Sequence, residues 1–274
     1  MRSVVELAAR PGFTVSAVTC RDDHARWSPV EAPLGHRMVL VRSGRFRRRS
    51  AHGPADLDPT LAYVGLPGEE EHFAHPSGGD VCTSVSVDAG TWAVVTGGAE
   101  RLARSTVYVD AHVELTHRRV LAAARGGDLD YALVEQLLAL LATAVRQLVT
   151  ASTPVAAPGS AGDAALVAAA REAIGCGHPA AARLFSLAEL LAVSPYRLSR
   201  AFPRELGVSL TRYRNRVRVA RALERLEHGE GGLAQIAADL EFADQAHLTR
   251  TVREHLGHTP TALRRVLRGG AATV

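Results

Sequence analysis

The sequence predicts an α+β multidomain protein: an N-terminal antiparallel β-barrel or sandwich with two following helices, then a C-terminal all-α domain. Three observations carry this. Residues 13 to 96 alternate short β-favouring runs with Gly/Pro/Asp clusters, the apolar period turns helical from about Val109, and Pro is absent from 204 through 259, where Leu, Ala and Arg dominate. A length of 274 residues with 47% hydrophobic and 22% charged content gives each part a buried core and excludes disorder as the main state.

In chain order, strands are expected at Phe13 to Val18, Arg37 to Val41, Ala62 to Leu66 and Val81 to Val87. Between about Val109 and Ala151 two helices follow, with Asp128 or Asp130 as a cap and Leu133, Leu137, Leu140, Leu141, Val145 and Leu148 on one stripe. That stripe either covers the sheet or meets a partner helix. In the second case residues 130 to 151, centred on Leu137 and Leu141, form a homodimer contact. The stretch from Ser152 to Gly162 is rich in Pro, Gly and small residues, the composition of a connector. The expected division is 1–108 for the barrel, 109–151 for dimerisation or covering helices, 152–162 for the linker, 163–268 for the helical domain and 269–274 for a tail.

Composition narrows the function classes. No run of 18 or more apolar residues occurs, and the first segment carries charges and Pro11 where a secretory signal needs an apolar stretch, so a cytoplasmic protein without membrane contact is expected. Cys20, Cys82 and Cys176 are too widely spaced for a disulfide framework or a paired CxxC zinc site. All 32 basic residues are Arg; residues 161 to 274 hold 16 Arg against 11 acids, a balance of +5, whereas residues 1 to 160 hold 16 against 17, a balance of −1. The basic half is the C-terminal one, which suits a nucleic-acid partner without demanding it.

An internal repeat decides the matter. Leu184-x-x-Leu187-Ala188-x-x-Leu191-Ala192-Val193-Ser194 is echoed by Leu233-x-x-Ile236-Ala237-x-x-Leu240-Glu241-Phe242-Ala243, and Leu198-Ser-Arg200 with Leu206-Gly207 is echoed by Leu248-Thr-Arg250 with Leu256-Gly257. Each unit reads as a short amphipathic helix, a tight turn and a second helix: a helix-turn-helix. Ser194 suits the cap of the first recognition helix and Pro195 its opening position, where a missing N–H costs nothing. Exposed at its start are Tyr196, Arg197, Ser199 and Arg200; the second recognition helix, opening near Asp244, offers Gln245, Ala246, His247, Thr249 and Arg250. Arg and Gln can make bidentate contacts to guanine and adenine edges, while Ser, Thr and Tyr reach phosphates or methyl groups. Between the units, Ser209 to Glu227 forms a periodic helix of roughly 28 Å with Tyr213, Val217, Ala220 and Leu223 inward, a spacer able to hold two recognition helices about one duplex turn apart.

These residues resemble the DNA-binding domain of the AraC/XylS family of bacterial transcription regulators. The resemblance covers about 163 to 268 and rests on Ser-Pro-Tyr-Arg-Leu-Ser-Arg-Ala-Phe (194 to 202), Leu-Gly-Val-Ser (206 to 209), Leu-Thr-Arg (248 to 250), Gly257 and Thr259-Pro260. It implies seven helices, two helix-turn-helix units and promoter binding. Departures are Glu241 where a turn Gly is usual, Val252 and Leu263 in place of aromatics, and Pro203 late in the first recognition helix, where it would loosen the last turn. The N-terminal half resembles the family's cupin-like sensor barrels, best from Val39 to Gly44, Asp58-Pro59, Pro67-Gly68 and His75 to Thr83.

Catalytic cupins hold a metal through a His-x-His pair, which is absent here. His72, after Pro67-Gly68, stands where such barrels often place a metal His, and alone it reads as a surface or pocket residue. Cys20, His24, His75 and Cys82 are the right elements for tetrahedral zinc. Two other readings stand beside it: buried thiols with ordinary polar histidines, or a Cys20/Cys82 redox pair. Trp27, His36, Arg37, Arg42, Phe46, Tyr63 and His72 are the expected lining of an effector cavity. The run Arg45 to Arg49 reads as a solvated strand edge with charges on both faces. The expected function is a non-enzymatic regulator that binds double-stranded promoter DNA as a homodimer, meets RNA polymerase there and answers to a small molecule or metal at its barrel. The rival is a cupin-type metalloenzyme or metal-binding module with a basic helical tail.

Overall fold

The computed structural model describes residues 1–98, 102, 104–149 and 161–269. They form two compact units, one within residues 1–152 and one within 153–269. Residues 152–160 of the expected linker and 270–274 of the expected tail lie outside the described residues, while 161 and 162 already belong to a helix.

The first unit contains β1 (Arg2–Arg10), β2 (Phe13–Cys20), β3 (His36–Ser43), β4 (Phe46–Ser50), β5 (Gly53–Leu57), β6 (Leu61–Gly65), β7 (His72–Ala74), β8 (Asp80–Val87), α1 (Ala89–Thr96), β9 (Thr106–Tyr108), α2 (Ala111–Gly126) and α3 (Ala132–Val149). A six-stranded sheet of order β1-β2-β8-β3-β6-β9 faces a three-stranded sheet of order β5-β4-β7, and every pairing is antiparallel. Strand alternation gives the large sheet two apolar faces. Val18, Val39, Val41, Tyr63 and Cys82 point toward Phe46 and Leu57 of the small sheet, whereas Val15, Met38, Leu40, Ala62, Val64, Val85 and Val87 pack on the helices.

The leucine stripe of α3 covers the second of these faces. Leu133, Leu137, Leu140, Leu141, Val145 and Leu148 are all buried in one core with α1, α2 and the sheet. Leu137 and Leu141 therefore pack into their own protomer's core. Asp128 accepts from the Tyr131 N–H at 3.1 Å ahead of α3, while Asp130 pairs with Arg10 at 2.7 Å.

The run Arg45 to Arg49 corrects the expectation of a solvated edge. β4 is the middle strand of its sheet, and Arg48 is only 1% exposed. Its guanidinium donates to Glu71 at 2.8 Å, Glu69 at 3.0 Å and Ser105 at 3.2 Å, and Glu71 also pairs with Arg37. A buried charge is tolerable only with such partners. The flanking Arg47 and Arg49 lie over the ring of Trp27, with guanidinium carbons 5.3 and 4.9 Å from its centroid.

Among its described residues the second unit has seven helices: α4 (Ala161–Cys176), α5 (Leu184–Leu190), α6 (Pro195–Leu206), α7 (Leu210–His228), α8 (Leu233–Asp239), α9 (Gln245–Leu256) and α10 (Pro260–Gly269), with a 3₁₀ turn at Pro179–Ala182. Ser209 caps α7, which runs between the repeats with Tyr213, Val217 and Leu223 buried. Tyr213 packs on Phe202 of α6 with ring centroids 5.3 Å apart, and farther along α7 Arg218 stacks on Phe242 at 3.8 Å while donating to the Leu240 carbonyl at 2.8 Å. One helix thus holds both repeats.

Candidate nucleic-acid interface and barrel cavity

Each repeat is a helix-turn-helix with its recognition helix capped as the sequence foretells. Ser194 Oγ accepts from the Arg197 N–H at 3.2 Å to start α6 behind Pro195, and Asp244 Oδ1 accepts from the His247 N–H at 2.6 Å to start α9. The turn residues Ala192 and Glu241 have φ of 53° and 58°, left-handed values that strain a side-chain-bearing residue. Glu241 is held by Arg214 at 3.1 Å. Pro203 lies inside α6, and the helix nevertheless continues to Leu206.

The two helices bury one face and leave the other free. On α6, Leu198, Ala201 and Phe202 are buried while Tyr196, Arg197, Ser199 and Arg200 are exposed. On α9, Leu248, Thr251, Val252 and Leu256 are buried; Gln245, Ala246, Arg250 and Arg253 are exposed, and Thr249 is half-buried. Arg253 was not among the expected contacts; its spacing of three from Arg250, which puts both on one face, was the available signal. Arg197 and His247 are engaged within the unit. Arg197 Nε donates to Asp163 of α4 at 3.2 Å, and His247 Nδ1 accepts from the Ala243 N–H at 3.2 Å with its ring edge-on to Phe242.

Between the two sheets of the first unit lies a cavity of about 170 Å³. Of the expected effector residues, Arg37, Phe46 and Tyr63 line it. The others are placed elsewhere. Trp27 lies under Arg47 and Arg49, His36 stacks on Trp92 at 4.7 Å on the helix side, Arg42 is exposed, and His72 Nδ1 lies 2.9 Å from the Ser28 carbonyl oxygen. Burial pushes up the Tyr63 hydroxyl pKa, so the cavity wall keeps a neutral phenol.

All four expected metal residues, Cys20, His24, His75 and Cys82, line this cavity, but they are not equally close. Ligand atoms of Cys20, His75 and Asp80 lie within 4.8 Å of one another. The His24 ring is 6.4 Å from that of His75, and its Nδ1 lies 3.0 Å from the Arg26 carbonyl oxygen. Cys82 is buried, its thiol donates to Asp80 Oδ1 at 3.0 Å, and burial pushes its pKa up. The Asp80 contact with His75, at 3.0 Å, and then the Cys20 contact raise the His75 pKa to about 9. Asp80 is not legible as their neighbour in the sequence, because the ladder pairing Cys20↔Asp80 appears only with the register. Gly79 makes the corner possible, since a Cβ there would collide with the Cys20 carbonyl.

Behind this wall, the neighbour of Cys82 faces the other way. Thr83 Oγ1 lies 2.8 Å from Nε2 of His117 on α2, a histidine whose pKa burial lowers to about 4.

Two tandem units of this construction, each with an exposed recognition surface, define a DNA-binding protein. Residues 187–266 match the family model described as a helix-turn-helix domain. Residues 187–266 thus form a helix-turn-helix DNA-binding domain. Similar solved structures include unsaturated fatty acid-bound wild-type ToxT from Vibrio cholerae strain SCE256, at 9% identity over 95% of this chain and 97% of that one with a TM-score of 0.37. The C-terminal domain of AraT, a response regulator from Geobacillus stearothermophilus, is 30% identical over 37% of this chain and 84% of that one, TM-score 0.35. A cupin superfamily protein from Desulfitobacterium hafniense is 14% identical over 32% of this chain and 78% of that one, TM-score 0.28. No curated protein sequence matches significantly.

Proposed function

We propose that this regulator binds promoter DNA through Tyr196, Ser199, Arg200, Gln245, Thr249 and Arg250, with Arg253 added, while Arg197 and His247 brace the helices that carry them. The observation that carries the reading is the paired exposure of the first turns of α6 and α9 on helices tied to one spacer. Bidentate Arg and Gln contacts supply base readout, and Ser, Thr and Tyr hold the phosphates. Residues 163–268 are the DNA-binding domain and residues 1–108, with the helices of 109–151, the sensor. The cavity between the sheets takes the effector, and only an effector with different affinity for two states of the sensor changes DNA binding. The protein acts without catalysis, in the cytoplasm, as a homodimer, and meets RNA polymerase at the promoter. Among the described residues no helix is long and apolar enough to cross a membrane.

Genome-wide mapping of bound sites followed by footprinting with the full-length protein tests the reading. Each protomer should protect two successive major-groove segments about 34 Å apart. Equal affinity for mapped and scrambled sequences would overturn it.

A further inference from the structure

We infer that the corner of the barrel cavity formed by Cys20, His75 and Asp80 is a divalent metal site of the zinc class, with its fourth position open to the cavity. The inference deepens the reading of the first unit as the sensor and rests on it.

The three side chains converge from separate places. Cys20 ends β2, Asp80 begins β8 directly opposite it in the ladder, and His75 stands between β7 and β8, its N–H bonded to the His24 carbonyl at 3.0 Å. Their ligand atoms fall within 4.8 Å of one another, a set compact enough to surround one ion. The Asp80 carboxylate is the telling group. It is 4% exposed, and its Oδ1 accepts from the Cys82 thiol while its Oδ2 has no hydrogen bond. That Oδ2 nevertheless lies 3.0 Å from His75 Nε2. In this ion pair the two atoms already stand near the roughly 3.3 Å that separates neighbouring N and O ligands of tetrahedral zinc at bond lengths near 2.0–2.1 Å, so a metal ion can take the place of the proton between them.

The donor set selects the ion. A thiolate with an imidazole favours zinc over magnesium or calcium, which prefer all-oxygen shells. Cys82 lies on the same wall, and as the hydrogen-bond donor to Asp80 it orients that carboxylate from outside the shell, as supports of metal ligands commonly do. With three protein ligands one position is left, which water or a donor atom of the effector would fill from the cavity that Tyr63, Phe73 and Arg37 also line.

Cobalt titration of the untagged, metal-stripped full-length protein tests the site, because thiolate-bound tetrahedral cobalt gives charge-transfer and visible bands that other sites lack. One equivalent should produce both, and one equivalent of zinc should abolish them. Cys20→Ser should remove the charge-transfer band, and His75→Gln should weaken binding at least tenfold. Cys82→Ser and His24→Ala should keep the band, and circular dichroism identifies any variant that has lost its fold. No band in the folded wild type, or a band that survives Cys20→Ser, would overturn the inference. A gel shift on the mapped operator separates the two readings: a protein that binds its operator but gives no cobalt band loses only the metal, whereas one that gives the band but binds no DNA specifically loses the regulator.

Discussion

Between α5 and α6 the turn has four residues, Leu191 to Ser194, whereas between α8 and α9 it has five, Leu240 to Asp244. The added residue is Ala243, and its N–H needs an acceptor, which His247 Nδ1 supplies. The equivalent position of the first unit, also third in its recognition helix, is Arg197, and with no extra residue to satisfy it turns to Asp163 on α4. One position thus braces both units by different chemistry. The second turn is tied to the spacer helix: Arg214 holds Glu241 and Arg218 holds Leu240 and Phe242, while Arg225 pairs with Asp239 at the end of α8.

The sharpest way to break this parallel is to remove the two exposed arginines, Arg200 and Arg250. Arg200→Ala and Arg250→Ala should each weaken operator binding by about 1–3 kcal/mol with the fold intact, the cost of a lost base contact. A loss confined to one of them, measured by fluorescence anisotropy at fixed salt, would show that a single unit reads sequence. Next in size are the caps. Ser194→Ala and Asp244→Ala should destabilise their unit by about 1 kcal/mol each, and denaturant titration of the full chain reads the loss. A cap that can be removed without effect would mean that its turn is held by other contacts.

Smaller again are the braces. Arg197→Ala and His247→Ala should cost roughly 0.5–1 kcal/mol of stability, because the Arg197 side chain is half exposed and His247 gives up one hydrogen bond, and should leave the ranking of operator variants unchanged. A changed ranking in a binding selection would return these residues to the DNA-reading set. The least effect belongs to the strained turns, where it should differ between the units. Ala192→Gly should stabilise by up to about 1 kcal/mol as left-handed strain is relieved. Glu241→Gly gives up its ion pair with Arg214 and should come out near zero. Equal gains would show that the Arg214 pair is worth nothing.

How far the sequence reveals this molecule depends on the range of the interactions. Caps are local, so Ser194, Pro195 and the helix opening near Asp244 were legible, as were Tyr213, Val217 and Leu223 of the spacer helix, whereas the expected Ala220 is only half-buried. The strands β2, β3, β6 and β8 were legible for the same reason, being short runs of β-branched and apolar residues. By contrast β4 is a run of arginines whose partners, Glu69 and Glu71, lie some twenty residues on, and no local pattern announces that a charge will be neutralised by a distant loop. Asp80 was missed likewise, because its relation to Cys20 exists only once β2 and β8 pair. The α3 stripe was visible, but whether it faces its own sheet or a partner is a tertiary fact that periodicity cannot hold.

On β8, Asp80, Cys82 and Ser84 face the cavity, while Thr83, Val85 and Val87 face the helical side. Because strand side chains alternate strictly, variation at even positions changes what the cavity admits and variation at odd positions changes how the helices seat. The two traits are interleaved in one short strand yet can be inherited separately. A lineage can therefore retune what the cavity admits by single substitutions without reopening the packing behind it, whereas an inserted residue would exchange the two sets and ruin both.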